Sequence, residues 1–255
     1  MLLCAYTPAL QKDEKPLVIK SAFTDFNVDN LGNMYLINES ELQKYNANGK
    51  LFARYSNLQL GEISSVDATN PLKILLYYRD LQQIVFLDNQ LSGNSENVSL
   101  VNLGYEQSDL VCSSTNNSFW IYNKQNNELL RFNENSQKIA NTGNLKQVLQ
   151  NDLNPNFMTE HNGYLYLNCP DNGIYVFDMF GGYVKLIGIR FIRHFKVNDN
   201  ILYYQKDSSM CSYNLKLFEE SCKSIPYFKQ NNKAKYGNGK IYQAFKDSLL
   251  VFSLN

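Results

Sequence analysis

DFNVDNLGNMYLINESELQKYNANGKLFARY, residues 25–55, contains three short strand-like runs separated by two turns. The first turn, at residues 29–33, is rich in Asp, Asn and Gly, which bond their own backbone or accept a positive φ. The second turn, at residues 46–49, ends in Asn-Gly, the strongest short-range signal for a β-hairpin. The segment therefore predicts a small antiparallel sheet. The rest of the chain repeats this unit with changes in sequence and loop length.

Five further copies follow, each with an apolar or aromatic run after its first turn. Successive runs are 40, 45, 46, 37 and 39 residues apart, measured between Tyr35, Leu75, Trp120, Tyr166, Tyr203 and Tyr242. A period near forty residues with several strands per copy is typical of β-propeller blades. We therefore predict an all-β fold, a six-bladed β-propeller.

The two ends of the chain complement each other. The sixth copy stops after its third strand, at residues 249–252, and a spare strand at residues 16–20 precedes the first copy. An unpaired sheet edge favours the addition of another strand. We predict a single propeller domain over residues 16–255, in which the N-terminal strand closes the last blade.

Composition and motifs exclude several classes of function. The chain has 24 basic and 24 acidic residues, whereas nucleic-acid-binding surfaces normally leave a basic excess, so no nucleic-acid partner is predicted. No phosphate-binding Gly-rich loop, nucleophile elbow or zincin motif is present. His161 and His194 fall in different repeats, and each is interpreted as a structural residue. We expect a non-enzymatic protein with no cofactor and no metal site.

The five cysteines, Cys4, Cys112, Cys169, Cys211 and Cys222, are widely spaced. They form neither a disulfide framework nor a paired metal-ligand spacing. Cys211 and Cys222 fall on neighbouring predicted strands, although a tight turn near Asn214 would pair Cys211 closer to Phe218. A disulfide between them and two free buried thiols are both compatible with the sequence.

Residues 1–15 begin with MLLCAYTPA, which is apolar but too short for a membrane helix. This segment fits the remnant of a secretory signal peptide, with a disordered terminus as the alternative. No later stretch is long and apolar enough to span a bilayer. We expect export, to the periplasm or the periplasmic side of the outer membrane.

Loops on one face of a propeller join the blades and connect second to third strands, and such loops usually carry function. The candidate partner-binding residues are the charged side chains of these loops: Arg79, Asp80, Lys124, Asp171, Arg190, Arg193 and Lys206. Asp80, Asp171 and Asp207 could line one mouth of the central channel. Solvated loop charges are the alternative.

Residues 28–35 and 42–50, VDNLGNMY and LQKYNANGK, resemble an NHL-type repeat of six-bladed propellers. Some proteins of that class are calcium-dependent lactonases with Glu, Asn and Asp side chains in the channel. The resemblance makes a metal-dependent lactonase or hydrolase an alternative function. This chain departs from the lactonase pattern, because its inner strands offer Thr24, Ser65, Cys112, Thr159 and Lys196 instead.

The Asn-, Lys- and Tyr-rich texture, together with DATNPLKILLYYRD at residues 67–80, resembles small envelope propellers of Bacteroidetes. That resemblance implies a protein-interaction module that docks on, or plugs, an outer-membrane barrel of the type IX secretion translocon. Binding of a peptide or a glycan is a further alternative.

Overall fold

The computed structural model describes residues 15–93, 97–229 and 232–253, and it confirms the six-bladed β-propeller. Six four-stranded antiparallel sheets stand around a central channel, each with its strands in order from the channel outward. Residues 1–14, which include Cys4 and nearly all of the expected signal remnant, lie outside the described residues.

Blades 1 to 3 follow one another along the chain. Blade 1 contains β2 (Asp25–Val28), β3 (Met34–Asn38), β4 (Glu41–Tyr45) and β5 (Leu51–Ser56). Blade 2 contains β6 (Ser65–Asp67), β7 (Ile74–Tyr78), β8 (Gln83–Leu87) and β9 (Val98–Ser99). Blade 3 contains β10 (Ser108–Ser113), β11 (Phe119–Asn123), β12 (Glu128–Phe132) and β13 (Lys138–Asn141). The short helix α1 (Leu145–Leu149) leads from blade 3 to blade 4.

Blades 4 to 6 complete the ring. Blade 4 contains β14 (Phe157–His161), β15 (Tyr164–Cys169), β16 (Gly173–Asp178) and β17 (Tyr183–Ile187). Blade 5 contains β18 (Phe195–Asn198), β19 (Ile201–Lys206), β20 (Ser209–Asn214) and β21 (Glu220–Ser224). Blade 6 contains β22 (Ala234–Gly237), β23 (Lys240–Phe245), β24 (Ser248–Ser253) and, as its outer strand, β1 (Leu17–Lys20).

The N-terminal strand closes the ring, as predicted. β1 pairs antiparallel with β24, so that Leu17 lies opposite Val251 and Lys20 lies opposite Ser248. The Asn-Gly turn of blade 1 packs against this strand, because a Cβ added to Gly49 would lie 2.9 Å from Leu17 Cδ1. Gly49 also has φ +79°, which an L side chain rarely adopts. The first blade thus supports the strand that completes the last one.

The turns between third and fourth strands share one device in the first four blades. A single Asx oxygen accepts hydrogen bonds from the backbone N–H groups two and four residues later, at 2.8 to 3.1 Å. The Asx residues are Asn46, Asp88, Asn133 and Asp178. Such local bonds favour turns over continued strand, so these side chains end each hairpin at a fixed register.

The apolar core is divided among the seams between blades. Each of the six seams contains one cluster of buried side chains contributed by both neighbouring sheets. Ile19, for example, packs with Phe26 and Met34 of blade 1 and with Leu249 of blade 6. Burial of both faces of each sheet accounts for the continuous apolar runs in the sequence.

Cys211 and Cys222 form a disulfide, with 2.01 Å between the sulfur atoms. The two residues are direct cross-strand partners on β20 and β21. The expected register, which put Cys211 closer to Phe218, is wrong because the turn is wider than a tight hairpin. Asn214 N donates to Glu219 O at 2.9 Å, which places Phe218 inside the turn. Cys112 and Cys169 are free and buried.

Candidate functional site

The loops expected to carry function lie together on one face, here called the loop face. Turns between second and third strands contact the connections between blades through backbone hydrogen bonds. Phe191 N donates to Pro170 O at 2.8 Å, and Lys124 N donates to Gln107 O at 2.8 Å. Each of these contacts joins a turn between β-strands of one blade to a connection that enters or leaves that blade.

All seven candidate partner-binding residues lie on the loop face, but only two of them belong to the channel wall, Arg79 and Arg193. Asp207 also lines the channel, as expected. Asp80 and Asp171 are exposed on turns and do not line the channel cavity, which fits the interpretation as solvated loop charges.

The remaining candidates are held by neighbouring loops and strands. Lys124 pairs with Asp109 at 3.2 Å, and Lys206 pairs with Glu220 at 3.5 Å. Arg190 Nε donates to Asn172 O at 3.3 Å. All three side chains remain exposed, so each can also meet a partner at the surface.

The loop face also presents apolar side chains to solvent. Among the described residues, five of the six connections that enter a blade each expose one large hydrophobic side chain: Leu58, Val101, Val148, Phe191 and Tyr227. Phe191 is 80% exposed and Leu58 is 84% exposed. These residues, here called the apolar ring, lie on the loop face in the connections to blades 2 to 6, and Phe191 is the one that also lines the channel cavity.

A cavity of about 1050 Å³ occupies the channel and is lined by residues from the inner strands of all six blades. This volume is in the range of small-molecule binding sites. Its wall contains both histidines and a row of lysines. Phe157, Phe191 and Phe228 add aromatic surface.

The lysines form a row along β2. Lys233 Nζ donates to Thr24 O at 3.3 Å, Lys235 Nζ donates to Phe26 O, and Lys196 Nζ donates to Val28 O at 3.3 Å. Three alternate carbonyls of blade 1 therefore each accept a hydrogen bond from a lysine. Lys196 comes from blade 5, and Lys233 and Lys235 come from the start of blade 6. Asp25 lies 3.4 Å from Lys233 and 3.7 Å from Lys235.

Charge and burial shift the pKa values in this row. Burial lowers the pKa of Lys235, and Lys233 lowers it further, whereas Asp25 raises it. Burial lowers the pKa of Lys196, which Asp67 raises. Burial by itself would raise the pKa of Asp25, but Lys235 and Lys233 outweigh it and hold that pKa below its usual value.

Two other carboxylates of the channel wall bind donors of blades 2 and 3. Asp67 accepts hydrogen bonds from Thr69 N and Ser113 N, both at 2.8 Å. Glu160 is buried and accepts from Trp120 Nε1 at 2.7 Å and Thr115 N at 3.0 Å. Their charges are therefore engaged by fixed N–H groups of the wall.

The two histidines lie in the wall at different positions. His194 stacks against Phe157, with 4.2 Å between ring centroids. Burial, together with Lys235, Lys196 and Lys233, lowers the pKa of His194 well below its usual value, so the ring is neutral at pH 7. Burial also lowers the pKa of His161, whose Nε2 has no hydrogen-bond partner among the described residues.

Sequence reasoning found part of this wall and missed the rest. Ser65, Thr159 and Lys196 line the channel, whereas Cys112 is buried in the seam between blades 3 and 4 and Thr24 lies outside the wall. Lys235 lies on β22, which begins at Ala234, and Lys233 lies just before that strand. Neither was predicted as a site residue, although the alternation Lys-Ala-Lys is typical of a strand with one buried face.

One group of potential metal ligands exists in the described part of the chain: Cys211, Glu220 and Cys222. Its cysteines form the disulfide, and none of the three belongs to the channel wall. The described residues also contain no helix long and apolar enough to cross a membrane.

Comparison with known proteins shows the fold. No protein-family model matches the chain, and no curated protein matches it. Among solved structures, a chain of the Mitotic Checkpoint Complex aligns with TM-score 0.65 and 9% identity, covering 100% of this chain and 99% of that one. The Pan2 WD40 domain of Neurospora crassa aligns with TM-score 0.62 and 8% identity, covering 92% and 90%.

An enzyme also shares the fold. Virginiamycin B lyase from Staphylococcus aureus, in a catalytically inactive histidine-to-alanine variant with quinupristin, aligns with TM-score 0.59 and 14% identity. The alignment covers 90% of this chain and 80% of the lyase. At these identities the likeness shows the β-propeller fold alone and carries no information about activity.

Proposed function

We propose that this protein is a non-enzymatic interaction module that binds a protein partner through its loop face. The apolar ring is the observation that supports this role, because it places exposed hydrophobic side chains on one face, in five successive connections between blades. Protein interfaces combine apolar and charged side chains. The charged loop residues lie on the same face as the apolar ring, and an interface of standard size buries about 800 Å² on each partner.

The experiment compares matched variants on opposite faces. Phe191→Ser combined with Tyr227→Ser alters the loop face, whereas Phe180→Ser combined with Leu72→Ser alters the opposite face, and all four residues are well exposed. The tagged proteins are expressed at equal level in the native cell, and captured partners are quantified by mass spectrometry. We expect the loop-face variant to lose its partner at least tenfold while the control retains it. Equal recovery would reject the loop face as the interface.

The charges of the loop face are proposed to set the rate of association. Arg79 and Arg193 at the channel mouth, with Asp80 and Asp171 further out, are the side chains to substitute. Rim substitutions typically change the association rate and its salt dependence more than the dissociation rate. Surface plasmon resonance on the identified partner would separate the two.

The partner is proposed to be an outer-membrane barrel, and the compartment to be the periplasm. The sequence resemblance to Bacteroidetes envelope propellers supports both proposals, and the Cys211–Cys222 disulfide supports an oxidising compartment. Docking on or plugging the type IX translocon requires shape and bulk without catalytic chemistry. Purification of the translocon barrel from membranes, with this protein absent from the complex, would reject that partner.

A lyase-like activity is the second candidate, because His161 and His194 both line the channel. In the lyase that shares the fold, a histidine variant is described as catalytically inactive. Incubation with quinupristin, followed by mass spectrometry, tests this possibility directly. Cleavage that disappears in His161→Ala or His194→Ala would favour the enzyme, and no cleavage would leave the interaction module as the proposal.

The metal-dependent lactonase alternative requires several carboxylates with free oxygens in the channel. Asp67 and Glu160 are instead engaged by N–H groups, and Asp25 pairs with lysines. A calcium-binding channel would raise the melting temperature in proportion to RT ln(1 + [L]/Kd). Melting that is unchanged by millimolar calcium and by chelator would remove this alternative.

A further inference from the structure

We propose that the channel binds a small organic anion, with its phosphate or carboxylate head on the lysine row and its apolar body against the aromatic side chains of the wall. The proposal concerns a site inside the channel and does not depend on partner docking.

An imbalance of charge supports the anionic head. Lys233 and Lys235 share Asp25 as their ion-pair partner, whereas Lys196 forms no ion pair within 4 Å among the described residues and is influenced by Asp67 and Asp29. The three ammonium groups also donate to main-chain carbonyls. A carbonyl accepts a hydrogen bond but does not neutralise an ammonium charge. Each ammonium group has three N–H donors, so the row retains donors for an oxyanion.

The acidic residues of the wall, Asp25, Asp67, Glu160 and Asp207, leave it with a formal charge of +1 against its five cationic side chains. Asp67 accepts from Ser113 N and Glu160 from Thr115 N, on the blade 3 side of the channel, so the lysine row remains locally cationic. Arg193, at the mouth beside His194, adds another cation, and its guanidinium has no hydrogen bond among the described residues. A water-filled cleft with low-dielectric walls concentrates ions opposite in charge to its lining.

Aromatic surface beside the cations supports the organic body. Phe157 contacts His194, while Phe191 and Phe228 line the same cavity. Phe191 is 80% exposed at the mouth of this cavity, so its ring is accessible to a ligand. An inorganic ion would leave this aromatic surface exposed to water. A neutral ligand would leave the lysines without a carboxylate or phosphate partner.

Isothermal titration calorimetry on the whole chain tests the site with three probes: inorganic phosphate, phenyl phosphate and neutral phenol. We expect saturable binding of phenyl phosphate, about tenfold tighter than inorganic phosphate, because the phenyl ring buries apolar area. Phenol alone is expected to bind at least tenfold more weakly than phenyl phosphate. Equal affinities for the two phosphates, or no saturable binding of phenyl phosphate, would overturn the proposal.

Variants locate the site. Lys196→Gln is expected to weaken phenyl phosphate binding at least tenfold, Lys196→Arg to retain it, and the exposed strand variant Lys138→Gln to leave it unchanged. If Lys196→Gln fails to fold, the half-exposed Lys233 provides the second variant, Lys233→Gln. Binding that is unaffected in the folded channel variants would overturn the proposal.

The ring of His194 is an internal reporter, because it contacts the row electrostatically and the chain contains only two histidines. Its NMR resonances, assigned with His194→Gln, are expected to shift on phenyl phosphate titration with the same Kd as the calorimetry. Unshifted His194 resonances at saturation would place the ligand elsewhere and reject the channel site.

Discussion

The seam between blades 3 and 4 and the seam between blades 6 and 1 both contain charged side chains that reach from one blade to another. In the first, Glu160 binds Trp120 Nε1 and Thr115 N, and it shares Ser114 with Arg131. In the second, Lys235 and Lys233 bind the carbonyls of Phe26 and Thr24 and compete for Asp25.

The difference lies in how completely the charges are matched. A buried polar network stabilises a fold only when its members have partners, and the Glu160 network meets this condition. The lysine row faces an open channel and has more cationic charge than carboxylates. We infer that the first seam is built for stability, whereas the closing seam depends on its apolar cluster and leaves its charges available for a ligand.

The largest expected effect comes from breaking the apolar cluster of the closing seam. Ile19→Asp places a carboxylate among Phe26, Met34 and Leu249, and we expect a loss of about 4 kcal/mol in the free energy of unfolding. Its neighbour Val18 faces solvent, so Val18→Asp is a control expected to change stability by less than about 0.5 kcal/mol. Urea denaturation measures both, and equal losses would mean that β1 does not hold the ring closed.

Breaking the polar network of the other seam is expected to have the next largest effect. Glu160→Ala leaves the buried indole N–H of Trp120 and the N–H of Thr115 without their acceptor, which we expect to cost about 3 kcal/mol. Glu219→Ala, on an exposed turn, is the matched control. A loss below about 1 kcal/mol for Glu160→Ala would show that this network is replaceable.

The closing seam is also expected to respond to pH. His194 has a folded pKa below the unfolded value near 6.5, so the unfolded state binds more protons and stability falls as the pH drops through 6.5. The loss is expected to approach about 1.4 kcal/mol per pH unit. Lys196, Lys233 and Lys235 face the imidazole and maintain this effect.

Urea denaturation between pH 7.5 and pH 5 measures this pH dependence of stability. The lowered pKa of Asp25 makes that group's contribution fade only at lower pH, outside this window. His194→Gln should flatten the profile, whereas His161→Gln should leave the larger part of the slope, because the His161 shift is smaller. An unchanged slope in His194→Gln would contradict this assignment.

The smallest effect is expected from neutralising the lysine row. Lys235→Met keeps the aliphatic stem and removes a buried charge that nearby lysines repel, so stability should change by less than about 1 kcal/mol. The same change in the other seam, Arg131→Met, should cost about 2 kcal/mol, because Thr115 loses its donor. Lys235→Met should also raise the pKa of His194, measured by NMR titration. Equal losses for the two variants would erase the distinction between the seams.

The sequence predicted local features well. The turn at residues 46–49, the six anchor runs and the spare strand at residues 16–20 each follow from neighbouring residues or from the repeat. The predicted pairing of Leu17 to Lys20 with the last strand is correct for the same reason, since one unpaired edge and one unpaired strand leave few alternatives. The candidate charges fall on the loop face because strand order alone determines on which face each turn lies.

The register and the channel wall required three-dimensional information. Cys211 meets Cys222 only because Asn214 begins a wide turn, and a difference of one or two residues in that turn changes every pair. Asp80 and Asp171 belong to the predicted turns, but their distance from the axis depends on how each blade twists.

Repetition in the sequence by itself determined the number of blades, their antiparallel hairpins and the closing strand, because these depend on short-range periodicity and on pairing of edges. The tertiary structure alone decided which side chains meet in the channel. Lys235 and Phe26 are separated by most of the chain, and no sequence pattern links them. Closure of the ring brings them into contact. The physical reason is that the pairing of lysines with carboxylates and carbonyls depends on distances across the ring, whereas the sequence specifies spacing only along each strand.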